Sequence, residues 1–325
     1  MRRTTIDIGT NTILMLISDF DPAKFEIKTV LDIQRIPRLG RGVDSNRNIQ
    51  PESFEKAINT LNEYKKMSLE YKSEQITATA TSFIRDSHNR DEFIKEIKKH
   101  TGIDIEILSG KDEARWTFWG GIFDKLETSE SRSRITTIDI GGGSTEITSA
   151  LNIPANLNKE TLLRHPIKAK SFNIGSVRLS EKFLLSHTPS EKDIEASKKF
   201  ILDHVLRSYE LDKSDQSDKS LIGVAGTITT LGAIKLGLDR FKAEKVDGLE
   251  ITLDEINNLL YKLSNLQFNE LFLMGNYMEG RADIIIPGTL ILQCFMDKFG
   301  FDKLTISTKG LRYGVFLREV FKLSP

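Results

Sequence analysis

One six-residue pattern occurs twice in this chain. Thr5-Ile6-Asp7-Ile8-Gly9-Thr10 returns 132 residues later as Thr137-Ile138-Asp139-Ile140-Gly141-Gly142. Each copy reads as an apolar, β-rich strand ending in Asp-Ile-Gly, then a turn of glycine and hydroxyl residues, then a second β-rich run, Ile13–Ile17 or Glu146–Ser149. Taken singly, either copy is equally an ordinary hairpin whose Asp caps a turn. Two copies separated by about the length of one domain point instead to a duplicated domain carrying two facing glycine turns. The 325 residues suit about two such domains.

The residue types in the turns suggest what they hold. Glycine lets the backbone turn sharply and brings its N–H groups close to an anion. Thr10, Asn11, Thr12, Ser144 and Thr145 add side-chain donors. Asp7 and Asp139 cannot accept from a phosphate, and make sense as holders of a cation, directly or through water. A third glycine turn, Gly223-Val224-Ala225-Gly226-Thr227, follows Leu221-Ile222 and runs into an apolar helix. Strand, turn and helix N-terminus make it a further anion-binding candidate.

Elsewhere strand and helix patterns alternate, which predicts an α/β class. Residues 51–72 carry Phe54, Ala57, Leu61 and Tyr64 at helical spacing, as core positions. Lys111–Leu126, Ser190–Tyr209, Leu253–Asn265, Asp283–Lys298 and Leu311–Phe321 also read as helices. Residues 151–168 have weak patterning and read as loop. Lys125–Arg134 is polar and aperiodic, a hinge between halves, and Asp212–Lys219 is a second polar loop. Trp116, Phe118 and Trp119 share one helix and read as packing residues.

Composition excludes several classes. Lys+Arg and Asp+Glu are both 46, so no basic excess advertises nucleic acid or an anionic membrane. The one cysteine, Cys294, rules out an internal disulfide and a cysteine zinc site. It reads as a buried small hydrophobe and suits a reducing cytoplasm. The five histidines show no metal-ligand spacing. Asp7 and Asn11 break any secretory apolar region after Met1-Arg2-Arg3, and no apolar run reaches the ~20 residues of a membrane span.

Eight motifs now stand in order along nearly the whole chain. They are Ile6-Asp7-Ile8-Gly9-Thr10-Asn11-Thr12, Ala80-Thr81-Ser82-Phe83-Ile84-Arg85, Leu108-Ser109-Gly110-Lys111-Asp112-Glu113-Ala114-Arg115, Asp139-Ile140-Gly141-Gly142-Gly143-Ser144-Thr145-Glu146, Gly175-Ser176-Val177-Arg178-Leu179, Gly226-Thr227, Arg281-Ala282-Asp283-Ile284 and Lys309-Gly310-Leu311-Arg312-Tyr313-Gly314. With them the chain resembles the exopolyphosphatase / guanosine pentaphosphate phosphohydrolase (Ppx/GppA) family, of the actin, sugar-kinase and Hsp70 superfamily. The resemblance implies two duplicated ribonuclease-H-like (actin-like ATPase) α/β domains with an interdomain cleft. The first would span 1–124, with helix 311–325 returning to it, and the second 125–310.

The resemblance also implies roles. Glu113 matches the position of the catalytic base that orients a water. Gly9, Thr10, Asn11, Thr12, Gly141, Gly142, Gly143 and Ser144 match the two phosphate loops, Gly226 and Thr227 the third, and Arg85 a phosphate-contacting arginine. Asp139 and Glu146, with Asp7, match acids near a divalent cation, Mg²⁺. The implied activity is removal of terminal phosphate from inorganic polyphosphate, in the cytoplasm, with guanosine pentaphosphate as the rival substrate. No nucleic acid or membrane partner is implied, and a homodimer is. A phosphotransferase of the sugar- or acetate-kinase kind and a nucleotide-sensing scaffold are more distant readings. Arg178 and Arg281 could extend a cationic path, although Arg281 beside Asp283 equally suits an ion pair. Tyr313 stands where the family often has Glu, a departure at the domain junction. No His-Asp dipeptide occurs, and a short, two-domain version of the family is the expectation.

Overall fold

The computed structural model describes residues 1–126, 134–154, 157–184, 188–211 and 219–322. The expected hinge and the second polar loop fall almost wholly outside these residues. By internal contact the chain forms two units. One is Met1–Glu127 with Pro154–His165 and Lys309–Pro325, and the other is Thr128–Ile153 with Pro166–Thr308.

The first stretch runs β1 (Arg2–Ile8), β2 (Ile13–Asp21), β3 (Glu26–Arg35), α1 (Val43–Asn46), α2 (Pro51–Glu70), β4 (Gln75–Ala80), α3 (Ser82–Arg85), α4 (Arg90–Thr101), β5 (Ile105–Ile107) and α5 (Gly110–Ile122). The second runs β6 (Arg134–Ile140), β7 (Thr145–Leu151), α6 (Lys159–Arg164), β8 (Lys168–Phe172), α7 (Ser176–Phe183), α8 (Glu191–Phe200), β9 (Lys219–Val224), α9 (Ala225–Lys235), α10 (Ala243–Val246), β10 (Glu250–Thr252), α11 (Leu253–Ser264), α12 (Phe268–Phe272), α13 (Ile285–Phe299), β11 (Lys303–Ile306) and α14 (Leu311–Lys322).

The sheet of the first unit has the order β3-β2-β1-β4-β5. Strands β1 to β3 form an antiparallel meander, and β4 and β5 join parallel to β1. The second sheet repeats that order as β8-β7-β6-β9-β11, with β10 added at the edge. The duplicated α/β architecture that the repeat demanded is therefore present. Both copies of the Asp-Ile-Gly pattern end the strand from which their sheet is built.

Period-two alternation gives each sheet two apolar faces. In the first unit Ile6, Ile8, Ile13, Met15 and Ile17 pack with Tyr64, Phe83 and Phe93, while Leu16 meets Tyr313, Phe316 and Val320 from α14. Helices α5 and α14 touch backbone to backbone. A Cβ at Gly314 would lie 1.7 Å from the Trp116 carbonyl oxygen, and one at Gly120 would lie 2.0 Å from that of Gly310. In the second unit Ile138, Ile140 and Ile147 share a core with Leu290, Phe295 and Phe301.

Short helices lie where the sequence predicted none, among them α1, α3 and α10, of four residues each. Residues 159–164 form α6 inside the stretch read as loop, and residues 176–183 form α7. All are too short for an apolar period to register. The helix expected over Ser190–Tyr209 ends as α8 at Phe200. It is followed by a wide turn at Ile201–Val205 and a tight one at Leu206–Ser208. Among the described residues no helix is long and apolar enough to cross a membrane.

Candidate active site

The two repeated turns are closed in the same way. The Gly9 N–H donates to the Thr12 carbonyl at 3.0 Å, and the Gly141 N–H to the Ser144 carbonyl at 3.0 Å. In each turn the outward carbonyls are then covered by another segment. In the first unit Gly40 donates to the Thr10 carbonyl at 2.8 Å and Arg38 to that of Asn11 at 3.1 Å. A side chain at Gly40 would meet Thr10 Cγ2 at 2.4 Å, so glycine is required there. In the second unit the first turn of α7 does this work. Ser176 donates to the Gly141 carbonyl at 2.9 Å, and Val177 and Arg178 donate to that of Gly142 at 2.9 and 3.1 Å. Gly175 permits the approach, since its Cβ would stand 2.4 Å from the Gly142 carbonyl.

The consequence is electrostatic. The covered carbonyls are withdrawn from the open side of each turn, and a glycine turn whose remaining N–H groups converge is a backbone suited to an anion. Thr10 and Asn11 are buried, and Thr10 Oγ1 lies 3.5 Å from Ser82 Oγ. Ser144 is buried too. The covering loop Arg38-Leu39-Gly40 was not singled out from the sequence. Its signal is a glycine closely following the strand-ending Pro37.

The third glycine turn is built differently. Ala225 sits at φ +72°, and α9 begins there. A left-handed residue next to a right-handed one turns successive N–H groups into a single concavity, a known anion cradle. The Arg281 guanidinium lies directly over Gly226, whose Cβ would fall 1.5 Å from Arg281 Nη1. Burial pulls the Arg281 pKa down to about 10. Thr227 packs against Gly288 of α13. Within this unit the structure therefore joins Gly226, Thr227 and Arg281, which were separate motifs in the sequence.

Asp139 and Glu146 stand directly opposite each other in the β6–β7 register, so both side chains lie on one sheet face. Ser171, opposite Glu146 on β8, donates to its Oε1 at 2.6 Å. In the first copy Asp7 faces Leu14 and Thr79, so the acid pair belongs to the second copy alone. Among the described residues no three His, Cys, Asp or Glu gather into a metal set. A pair of hard carboxylates nonetheless fits a cation that takes its remaining ligands from phosphate and water, as Mg²⁺ does.

Glu113 opens α5. Ser109 caps that helix, accepting from the Asp112 N–H at 3.1 Å. Glu113 is only 6% exposed, and Arg85 Nη1 donates to its Oε2 at 3.0 Å. The same Nη1 donates to the Leu108 carbonyl at 2.9 Å, which fixes the guanidinium. Arg85, at the end of α3, is thus a partner of Glu113 as well as a candidate for phosphate. The helix-start position favours the charged carboxylate.

The chain is 34% identical to a bifunctional 3-dehydroquinate synthase/phosphatase of Fusobacterium nucleatum, over 98% of its own length and 46% of that protein, so it spans about half of that relative. It is 28% identical to exopolyphosphatase 2 of Mycobacterium tuberculosis, over 97% of this chain and 98% of that one. The crystal structure of an exopolyphosphatase from Cytophaga hutchinsonii superposes with a TM-score of 0.83 at 26% identity, covering 100% of this chain and 99% of that one. The profile of the Ppx/GppA phosphatase family matches residues 16–323. With the repeated turns, the acid pair and the Arg85–Glu113 contact in place, the chain belongs to that family.

Proposed function

We propose that this protein is an exopolyphosphatase, hydrolysing the terminal phosphoanhydride of inorganic polyphosphate. The observation that carries the reading is the buried Glu113 carboxylate, held at a helix start by Arg85 at 3.0 Å. A carboxylate so held can orient a water and accept its proton. The water oxygen attacks the terminal phosphorus, the bridging P–O bond breaks, and its electron pair leaves with the shortened chain. Phosphoryl transfer of this kind depends mainly on positioning and charge neutralisation. Thr10, Asn11, Thr12 and Ser144, with the N–H groups of Thr10 to Thr12 and of Gly142 to Ser144, bind phosphate oxygens, and Arg85 adds charge at the transferring group. Gly226, Thr227 and Arg281 bind a further phosphate. Asp139 and Glu146 would hold Mg²⁺, which when bound neutralises charge on the phosphate oxygens. The names of the relatives favour polyphosphate over guanosine pentaphosphate.

The test is phosphate release with Mg²⁺ from polyphosphate and from guanosine pentaphosphate, in parallel, for the parent protein and Glu113→Ala. We expect faster release from polyphosphate, and a fall of roughly 10²–10⁴-fold in the variant. Preference for the pentaphosphate would select the rival substrate. Release from neither, with ADP-dependent ATP formation from polyphosphate, would replace the hydrolase by a phosphotransferase.

A further inference from the structure

Helix α6 lies in the connection between β7 and β8, yet its residues pack in the first unit, against α5. Its N-terminus is capped by Asn158, which accepts from the Thr161 N–H at 2.9 Å. Its other end stops at Arg164, with His165 extended ahead of a proline, so its last carbonyls need outside donors. The Leu162 carbonyl would accept from the N–H of residue 166, four positions on, but that residue is Pro166 and has none. Arg115 on α5 supplies the missing donor, its Nη2 lying 2.8 Å from the Leu162 oxygen. The Leu162 side chain is fully buried, and the His165 ring stands edge-on to Trp119 of α5 with centroids 6.1 Å apart.

Arg115 follows Glu113 by two residues, so the two point to nearly opposite sides of α5. One side of the helix is held by Arg85 through Glu113, and the other by α6 through Arg115. We infer that Arg115 and helix α6 are positioning elements for Glu113: the Arg115–Leu162 bond sets where α5, and hence the carboxylate, stands. The inference rests on the reading of Glu113 given above. A displacement of about 1 Å at a reacting group costs on the order of 10²-fold in rate. Even a partial release of α5 should therefore register in kcat.

The experiment compares Arg115→Met, which keeps the stem and loses the donor, with Arg115→Lys, which keeps a donor. Pro166→Ala, at an exposed position, serves as a milder second variant. It relieves the restriction that keeps His165 extended, so that the helix can run on and offer the Leu162 carbonyl a local N–H in competition with Arg115. The chain's two tryptophans, Trp116 and Trp119, both lie on α5, so their emission reports on that helix independently of activity. We expect kcat for phosphate release to fall about tenfold in Arg115→Met with KM within twofold. Arg115→Lys should recover at least half of the loss, and Pro166→Ala should lose about twofold. Tryptophan emission should move to longer wavelength, with easier acrylamide quenching, in Arg115→Met and not in Arg115→Lys. Parental kcat and emission in both Arg115→Met and Pro166→Ala would overturn the proposal. So would a loss in Arg115→Met that Lys does not restore. If the parent itself releases no phosphate, the substrate reading has failed and the emission alone decides, an unchanged spectrum in Arg115→Met overturning the clasp.

Discussion

Ala225 and Cys294 show how far a single residue can be read. Ala225 adopts φ +72° at the start of α9, where an L side chain costs about 1–2 kcal/mol. Replacing it by glycine removes that cost and adds back about 0.5–1 kcal/mol of unfolded-state entropy. Ala225→Gly should therefore stabilise the protein by about 0.5 kcal/mol, read as a higher urea midpoint at constant slope; a lower midpoint would contradict the strain. Cys294 is buried, and burial pushes its thiol up to about 12 from an ordinary 9.0. The folded chain thus keeps a proton that the unfolded chain loses first. Stability should fall as pH rises from about 9 towards 12, and this thiol contributes nothing to pH dependence below that window. At pH 8 the native protein should not react with a thiol reagent, whereas denatured protein should yield one thiol per chain. Rapid native labelling would refute that burial.

At the scale of elements, glycine decides how closely parts approach. Helices α5 and α14 cross with Gly120 and Gly314 at the contact, and the obstacle to any larger residue is backbone, which cannot rotate away. Gly314→Ala should cost about 3 kcal/mol in urea unfolding, at the upper end of overpacking effects. A change under about 1 kcal/mol would show that the helices part easily. The same logic joins turn and support in the second unit, where Gly175 lets α7 reach the carbonyls of Gly141 and Gly142. There a short helix holds a glycine turn in place by its carbonyls alone.

At the scale of the whole molecule, the first unit is assembled from separated pieces of chain. Its sheet lacks cover on one face until α14 arrives, because Leu16 packs on Tyr313, Phe316 and Val320. Tyr313 also anchors α14 through polar contacts, its hydroxyl lying 3.0 Å from Asp32 and 3.1 Å from Thr29, while Arg312 holds Asp32 with two bonds of 2.7 and 2.8 Å. Tyr313 thus serves the first unit's own packing. A chain stopped after Thr308 should leave that unit without cooperative unfolding. It should lose the near-ultraviolet circular dichroism of Trp116 and Trp119 and bind an apolar dye. A native-like spectrum would refute the dependence.

Much of this was legible in the sequence because it is local or repeated. Asp-Ile-Gly at domain spacing announced the duplicated sheets, since a strand ending in a tight turn is dictated by neighbouring residues alone. The eight motifs carried the family, and Cys294 its burial. Other features depend on residues distant in sequence meeting in space, which no local pattern encodes. The asymmetry of the two copies is one, because Asp139 faces Glu146 while Asp7 faces Leu14 only once the strands are in register. The pairing of Arg281 with Gly226 is another, as is the cover that Arg38 and Gly40 give the first turn. Helix α6 is a fourth, a six-residue helix whose unfinished carbonyl finds its donor 47 positions away on the helix of Glu113. Local chemistry set which groups the chain carries, and tertiary packing decided which of them stand within hydrogen-bonding reach.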